Sequence, residues 1–148
     1  MAETSRVGPV VVGIDGSDAG FEALRHAVRE AGWRGAALHV VHVLDVTPAV
    51  LHLGGDHTIS TRELAESDRA EIWKLAEPIL EDAGTEVIRV ERDGHPGRTL
   101  VAYCDEAGAS ALVVGPRGRG RVQRLLLGST AEEVVKSSVC DVLVVKPG

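Results

Sequence analysis

Val113-Val114-Gly115-Pro116-Arg117-Gly118-Arg119-Gly120-Arg121-Val122-Gln123-Arg124-Leu125-Leu126-Leu127-Gly128-Ser129-Thr130 runs from an apolar segment through a glycine- and arginine-rich loop into a helical pattern over residues 131–138. Strand, glycine loop, helix start is an arrangement that holds phosphate. Glycine lets backbone N–H groups turn toward an anion with no side chain in the way. The first N–H groups of a helix have no partner within it, and the helix dipole adds partial positive charge there. Ser129 and Thr130 add hydroxyls, and Arg117, Arg119, Arg121 and Arg124 crowd the loop of a chain whose formal net charge is −6. The competing reading is an ordinary strand-to-helix turn with solvated arginines. The loop is not a Walker A motif, because no Gly-Lys-Ser/Thr ends it. It is not the dinucleotide fingerprint either, because Gln123 stands where a third glycine or alanine belongs.

Upstream, residues 7–14 form a short aliphatic run that ends at Asp15-Gly16, as strands buried on both faces do. Ser17 is placed to cap a helix with Asp18 in its first turn, apolar residues then recur at helical spacing, and Gly32 is expected to close it. A second buried strand covers 36–44 and ends at Asp45. Residues 46–60 have no clean period and contain Pro48 and Gly54-Gly55, which predicts a long irregular loop. A helix is predicted over 61–83, with Pro78 able to kink or break it, then a more exposed strand over 85–92 and a turn at 94–97. A helix over 98–107, a strand over 111–114, the loop, a helix over 131–138 and a strand over 141–145 complete the chain.

Such alternation predicts an α/β protein: a doubly wound five-stranded parallel sheet of order 3-2-1-4-5 with helices on both faces. The 148 residues suit a single domain over 1–148. Ligands in these sheets bind beyond the carboxyl ends of the strands, where the strand order reverses. That switch point brings Asp15-Gly16 beside the loop of residues 115–118, so topology and loop chemistry both point to a nucleotide site.

Composition narrows the function. The acidic balance argues against general nucleic-acid binding, and 3% aromatics leave little to stack single strands on. No apolar segment approaches a membrane span. Residues 1–6 are polar and lack a signal-peptide pattern, and Cys104 and Cys140 fit neither metal spacing nor a disulfide framework, so a cytoplasmic protein with reduced thiols is the expectation.

Asp15 can accept bonds from ribose hydroxyls or help hold Mg²⁺; its alternative role is capping the next helix, for which Ser17 is better suited. The Val41 backbone is placed to pair with a base, with core packing the alternative for its side chain. His39 and His42 face opposite sides of their strand, His52 and His57 share the irregular loop, and His95 precedes Pro96 in a turn, so no metal site emerges. No serine has a histidine and an acid placed as a triad, and no catalytic residue is assigned. Cys104 is read as packing, and Trp33 and Trp73 as covers of apolar surface.

Gly115, two residues, Gly118, nine residues, then Gly128-Ser129 resembles the G-x2-G-x9-G-[ST] signature of the ATP-binding branch of the universal stress protein family. The similarity extends to residues 10–17 at the start and 141–145 at the end, and so spans essentially the whole chain. It implies the sheet derived above. It also implies ATP, possibly with Mg²⁺, held by Gly13, Asp15 and Val41 around adenosine and by Gly115, Arg117, Gly118, Gly128, Ser129 and Thr130 around phosphates. Gly13 departs from the proline of some members, loosening the adenine side, and Pro116 removes one N–H donor from the cradle. Related members bind cyclic AMP. The resulting expectation is a nucleotide-dependent sensor or adaptor in the stress response. A slow ATP hydrolase or phosphotransferase and a dimer with a vestigial site are the rivals. An uncharged edge over 142–145 further predicts a homodimer paired through the last strand, which the resemblance supports.

Overall fold

A computed structural model describes residues 7–45, 50–52, 58–118 and 127–147. In chain order the elements are β1 (Val10–Ile14), α1 (Asp18–Arg34), β2 (Leu38–Leu44), β3 (Val50–His52), β4 (Thr58–Ser60), α2 (Thr61–Glu81), β5 (Val87–Asp93), α3 (Pro96–Ala107), β6 (Ala111–Val114), α4 (Ser129–Ser137) and β7 (Asp141–Val144). The main sheet runs β5-β2-β1-β6-β7 with every pairing parallel. Counting only its five strands, this is the expected 3-2-1-4-5.

β1 and β6 are aliphatic at every position but Gly13 because both of their faces are covered. Val10, Val12 and Ile14 of β1 pack with Ala23, Leu24 and Ala27 of α1 and with Ile72, Trp73 and Ala76 of α2. Val11 points the other way, into a cluster with Leu100, Tyr103 and Cys104 of α3 and Val134 of α4. The two-residue strand period thus divides one run of valines between two cores. Full burial of each such side chain is worth roughly 1.5–3 kcal/mol, which holds β1 at the centre and fixes where its carboxyl end emerges.

Several elements depart from the sequence expectation. α1 passes through Gly32 and stops at Gly35, whose φ of 61° supplies the left-handed cap. α2 continues past Pro78 to Glu81; buried Ile72, Trp73, Ala76 and Leu80 dock it to the sheet and outweigh the lost backbone bond. α3 starts at Pro96, a first-turn position that needs no N–H. The segment expected to be one irregular loop holds an antiparallel ribbon, β3 with β4, in which Leu51 is opposite Ile59. Three-residue strands are too short to show a period. Pro48 and Gly54-Gly55 lie outside the described residues.

Trp33 is 72% exposed, edge-on to His26, and covers little. Trp73 is buried as expected, with the Arg89 guanidinium 5.7 Å from its ring centroid.

Candidate functional site

β1 and β6 are neighbours on which the chain order reverses, and a cavity of about 420 Å³ opens beyond their carboxyl ends. Its wall includes Gly13, Asp15, Val41, Gly115, Arg117, Gly118, Gly128, Ser129 and Thr130. All nine residues singled out in the sequence therefore surround one space, of a size usual for small-molecule sites. Arg119, Arg121 and Arg124 lie outside the described residues.

Asp15 supports the start of α1 through Ser17, which is itself the cap. Its Oδ1 accepts from the Ser17 amide at 3.0 Å and from the Ser17 hydroxyl at 2.6 Å. The Ser17 Oγ in turn accepts from the Gly20 amide at 3.0 Å, capping α1. The other carboxylate oxygen faces the glycine loop: a Cβ added at Gly118 would stand 2.9 Å from Oδ2. One oxygen anchors the carboxylate to the start of α1, and the second is aimed along the cavity wall.

The glycines of the motif act by close approach. Left-handed φ angles occur among the described glycines at Gly16, Gly35, Gly94 and Gly108, not at Gly115, Gly118 or Gly128. A Cβ at Gly115 would meet the backbone of Ala19 at 3.1 Å, and one at Gly128 would meet the Arg117 Cα at 3.1 Å. The two ends of the loop pack backbone to backbone, and the Gly128 amide donates to the Pro116 carbonyl at 2.6 Å. Pro116, which lacks an N–H to offer a ligand, contributes its carbonyl to loop closure.

Ser129 and Thr130 fall within α4 itself, which begins two residues earlier than the sequence pattern placed its start. Gly128 is the N-cap and no side chain caps the helix. The Glu132 amide bonds back to the Gly128 carbonyl at 2.9 Å, so the amides of Ser129, Thr130 and Ala131 have no carbonyl within the helix to bond. With the helix dipole they form an anion-seeking end, and it borders the cavity.

The opposite end of the cavity is apolar. Gly13 and Val41 are register partners on β1 and β2. The Val41 side chain is fully buried in the α3–α4 core, which leaves its backbone for the cavity. A Cβ at Gly13 would come within 2.7 Å of the Leu100 Cδ1. Glycine here admits Leu100, whose side chain takes the space a Cβ would need. Val43, Asp45, Pro96 and Leu100 also line the cavity and were not singled out in the sequence. Asp45 carried a signal, since it ends β2 as Asp15 ends β1; Leu100 carried none.

Beside this wall His42, 6% exposed, accepts from Arg69 Nε at its Nδ1, 3.0 Å. Arg69 also donates to the carbonyls of Arg92 at 2.7 Å and His42 at 3.4 Å, and pairs with Glu91 and Asp93. It ties α2 to the carboxyl ends of β2 and β5. Burial, then the Arg69 charge, pushes the His42 pKa below its ordinary value. His39, on the other face, meets the Tyr103 hydroxyl at 2.7 Å, and burial lowers its pKa as well. Among the described residues no group of three His, Cys, Asp or Glu side chains is placed to hold a metal, and no helix is long and apolar enough to cross a membrane. His57, and the side chain of His52, lie outside the description.

Comparison with known proteins agrees with this architecture. The profile of the universal stress protein family matches residues 7–146. A universal stress protein of Methanocaldococcus jannaschii is 33% identical over 138 residues, covering 93% of this chain and 81% of that protein. Among solved structures, a universal stress protein in complex with cAMP is 28% identical with a TM-score of 0.69, covering 95% of this chain and 98% of that one. The universal stress protein of Archaeoglobus fulgidus in complex with dAMP is 26% identical with a TM-score of 0.68, again covering 95% and 98%.

Proposed function

The chain belongs to the universal stress protein family, and from that premise we propose that it binds ATP at the β1–β6 switch point and acts as a nucleotide-dependent sensor or adaptor in the stress response. The observation that carries this reading is the meeting of Asp15, the 115–118 turn and the uncapped start of α4 around one cavity of about 420 Å³. Adenosine lies on the apolar side, between Gly13, Val41 and Leu100, with its ribose toward Asp15. The phosphates lie against Gly115, Gly118, the amides of Ser129 and Thr130, their hydroxyls and the Arg117 guanidinium. Two relatives were solved with adenine nucleotides, cAMP and dAMP, which supports the base and the first phosphate.

Mg²⁺ fits this donor set. It is usually held by one or two carboxylates together with nucleotide phosphates, and Asp15 presents one oxygen toward the loop. When bound, the ion would offset phosphate charge.

The same relatives support a second reading, in which cyclic AMP is the ligand. Mass spectrometry of the small molecule retained through purification distinguishes the two. Retained ATP or ADP supports the first reading and cyclic AMP the second, while a protein that neither retains nor takes up an adenine nucleotide refutes both.

Binding without rapid turnover is the favoured role, because neither a Walker lysine nor an assignable general base stands in the sequence at the phosphate end. Residues 1–148 act as one nucleotide-binding unit in the cytoplasm. Two copies pair through β7, where Val142, Leu143 and Val144 are half-exposed, whereas the β5 edge presents Arg89, Glu91, Arg92 and Asp93.

A further inference from the structure

Among the described residues His42 is the one buried basic side chain, 6% exposed near the carboxyl end of β2. Strand alternation turns it toward α2, while Val41 and Val43 on either side line the cavity. Its Nδ1 accepts from Arg69 Nε at 3.0 Å. A guanidinium N–H only donates, so this ring nitrogen carries no proton. The same guanidinium donates to the Arg92 carbonyl at 2.7 Å and the His42 carbonyl at 3.4 Å, and faces Glu91 at 3.4 Å and Asp93 at 3.6 Å.

The apolar anchors of α2 in the core, Ile72, Trp73, Ala76 and Leu80, all follow Arg69 in the chain. Residues 63–68, before it, are exposed or half-exposed. Arg69 therefore ties the leading turns of α2 to β2 and β5, and one of its bonds has an acceptor that a proton can take.

We propose that His42 and Arg69 form an acid-released latch: a proton on the His42 Nδ1 displaces the Arg69 Nε–H, and the leading turns of α2 come away from the ends of β2 and β5. A protonated Nδ1 is a donor, and two N–H groups cannot share one hydrogen bond. The imidazolium and the guanidinium are then like charges in contact, with little water to screen them. β2 is held between β1 and β5, so the movement falls to Arg69 and α2. The charges around His42 come from three elements. Arg69 on α2 opposes the proton, whereas Glu91 on β5, Asp15 on β1 and Asp68 on α2 favour it. Burial and Arg69 outweigh the carboxylates and hold the His42 pKa below the ordinary 6.5, so the latch is closed at neutral pH and opens in acid. It lies on the strand that also carries the Val41 and Val43 wall of the cavity. The inference does not depend on which ligand the cavity takes.

Hydrogen exchange of the wild type at about pH 7.5 and about pH 5, read by mass spectrometry and corrected for the intrinsic effect of pH, tests the latch. Ring ¹⁵N spectra report the protonation of His42 under the same conditions. The expected result is at least about tenfold less protection over residues 63–71 once His42 is protonated, with residues 72–81 still protected. His42→Gln gives Arg69 an acceptor that does not titrate, and should keep residues 63–71 protected at both pH values. Arg69→Gln removes the tether, and should expose the same residues already at neutral pH. Unchanged protection over residues 63–71 in a wild type whose His42 is protonated would overturn the proposal. So would equal losses in the wild type and His42→Gln, or a ring that stays neutral until the whole chain unfolds. The wild-type measurement decides if either variant fails to fold.

Discussion

The Gly128 amide donates to the Pro116 carbonyl at 2.6 Å, so the glycine loop is a closed ring whose two ends touch beside the cavity. Its packing leaves no room for a side chain, since a Cβ at Gly128 would lie 3.1 Å from the Arg117 Cα and 3.4 Å from the Pro116 oxygen. Backbone cannot rotate away as a side chain can. Gly128→Val should therefore spread the ring, at a cost of about 1–3 kcal/mol, and weaken ATP by more than tenfold. Thermal melting and calorimetry read the two effects. Full affinity in Gly128→Val would show that ring closure does not shape the site.

Arg117 lines the cavity beside Gly115 and Gly118, where the proposal puts the phosphates. A charge-assisted bond to phosphate contributes about 1.5–3 kcal/mol when well formed. Arg117→Ala should weaken ATP at least tenfold and leave adenosine nearly unchanged. Equal losses for the two ligands would move the residue's role from phosphate to the fold or the base.

His42 gives stability a predictable dependence on pH. Its pKa in the folded protein lies below the ordinary 6.5. Between that lowered value and 6.5 the unfolded chain holds a proton that the folded chain does not, so stability rises with pH across this window. The contribution is complete above pH 6.5 and is lost as pH falls below it. Arg69 opposes the proton, and Glu91, Asp15 and Asp68 favour it more weakly. His42→Gln keeps an acceptor for Arg69 but cannot titrate. The wild type should lose more melting temperature than His42→Gln between pH 7.5 and 5.5. Parallel curves would remove His42 as the cause. His39 acts in the same direction in both proteins.

The proposed dimer edge has a defined donor pattern. The Val145 amide bonds inward to the Val114 carbonyl at 2.9 Å. Alternation along the strand then turns the amides of Leu143 inward and of Val142 and Val144 outward. Val144→Pro should remove an outward donor, spare the pairing with β6 and shift the protein to monomer in light scattering at micromolar concentration. A wild-type protein that is already monomeric there contradicts the pairing.

Much of this was legible in the sequence. Runs such as residues 10–14 and 111–114 are aliphatic at every position but Gly13 because α1 and α2 cover one face and α3 and α4 the other, and a pattern that local is easily seen. Asp15 and the 115–128 glycines were visible because they interrupt those runs at strand ends. Leu100 was not, because it reaches the cavity only through the space left by Gly13 on another element. Arg69 was hidden for the same reason: its value lies in reaching the carbonyls of His42 and Arg92, which no periodicity records.

The central claim is that an adenine nucleotide occupies the cavity beside Asp15 and the glycine ring, and calorimetric titration of ATP into the wild type and Gly118→Val tests it most directly. A Cβ at Gly118 would crowd Asp15 Oδ2 at 2.9 Å and enter the space assigned to phosphate. The account predicts saturable binding to the wild type and at least a tenfold weaker affinity, about 1.4 kcal/mol, in a folded Gly118→Val. Equal affinities in the two proteins, or no adenine nucleotide bound by the wild type, would contradict it.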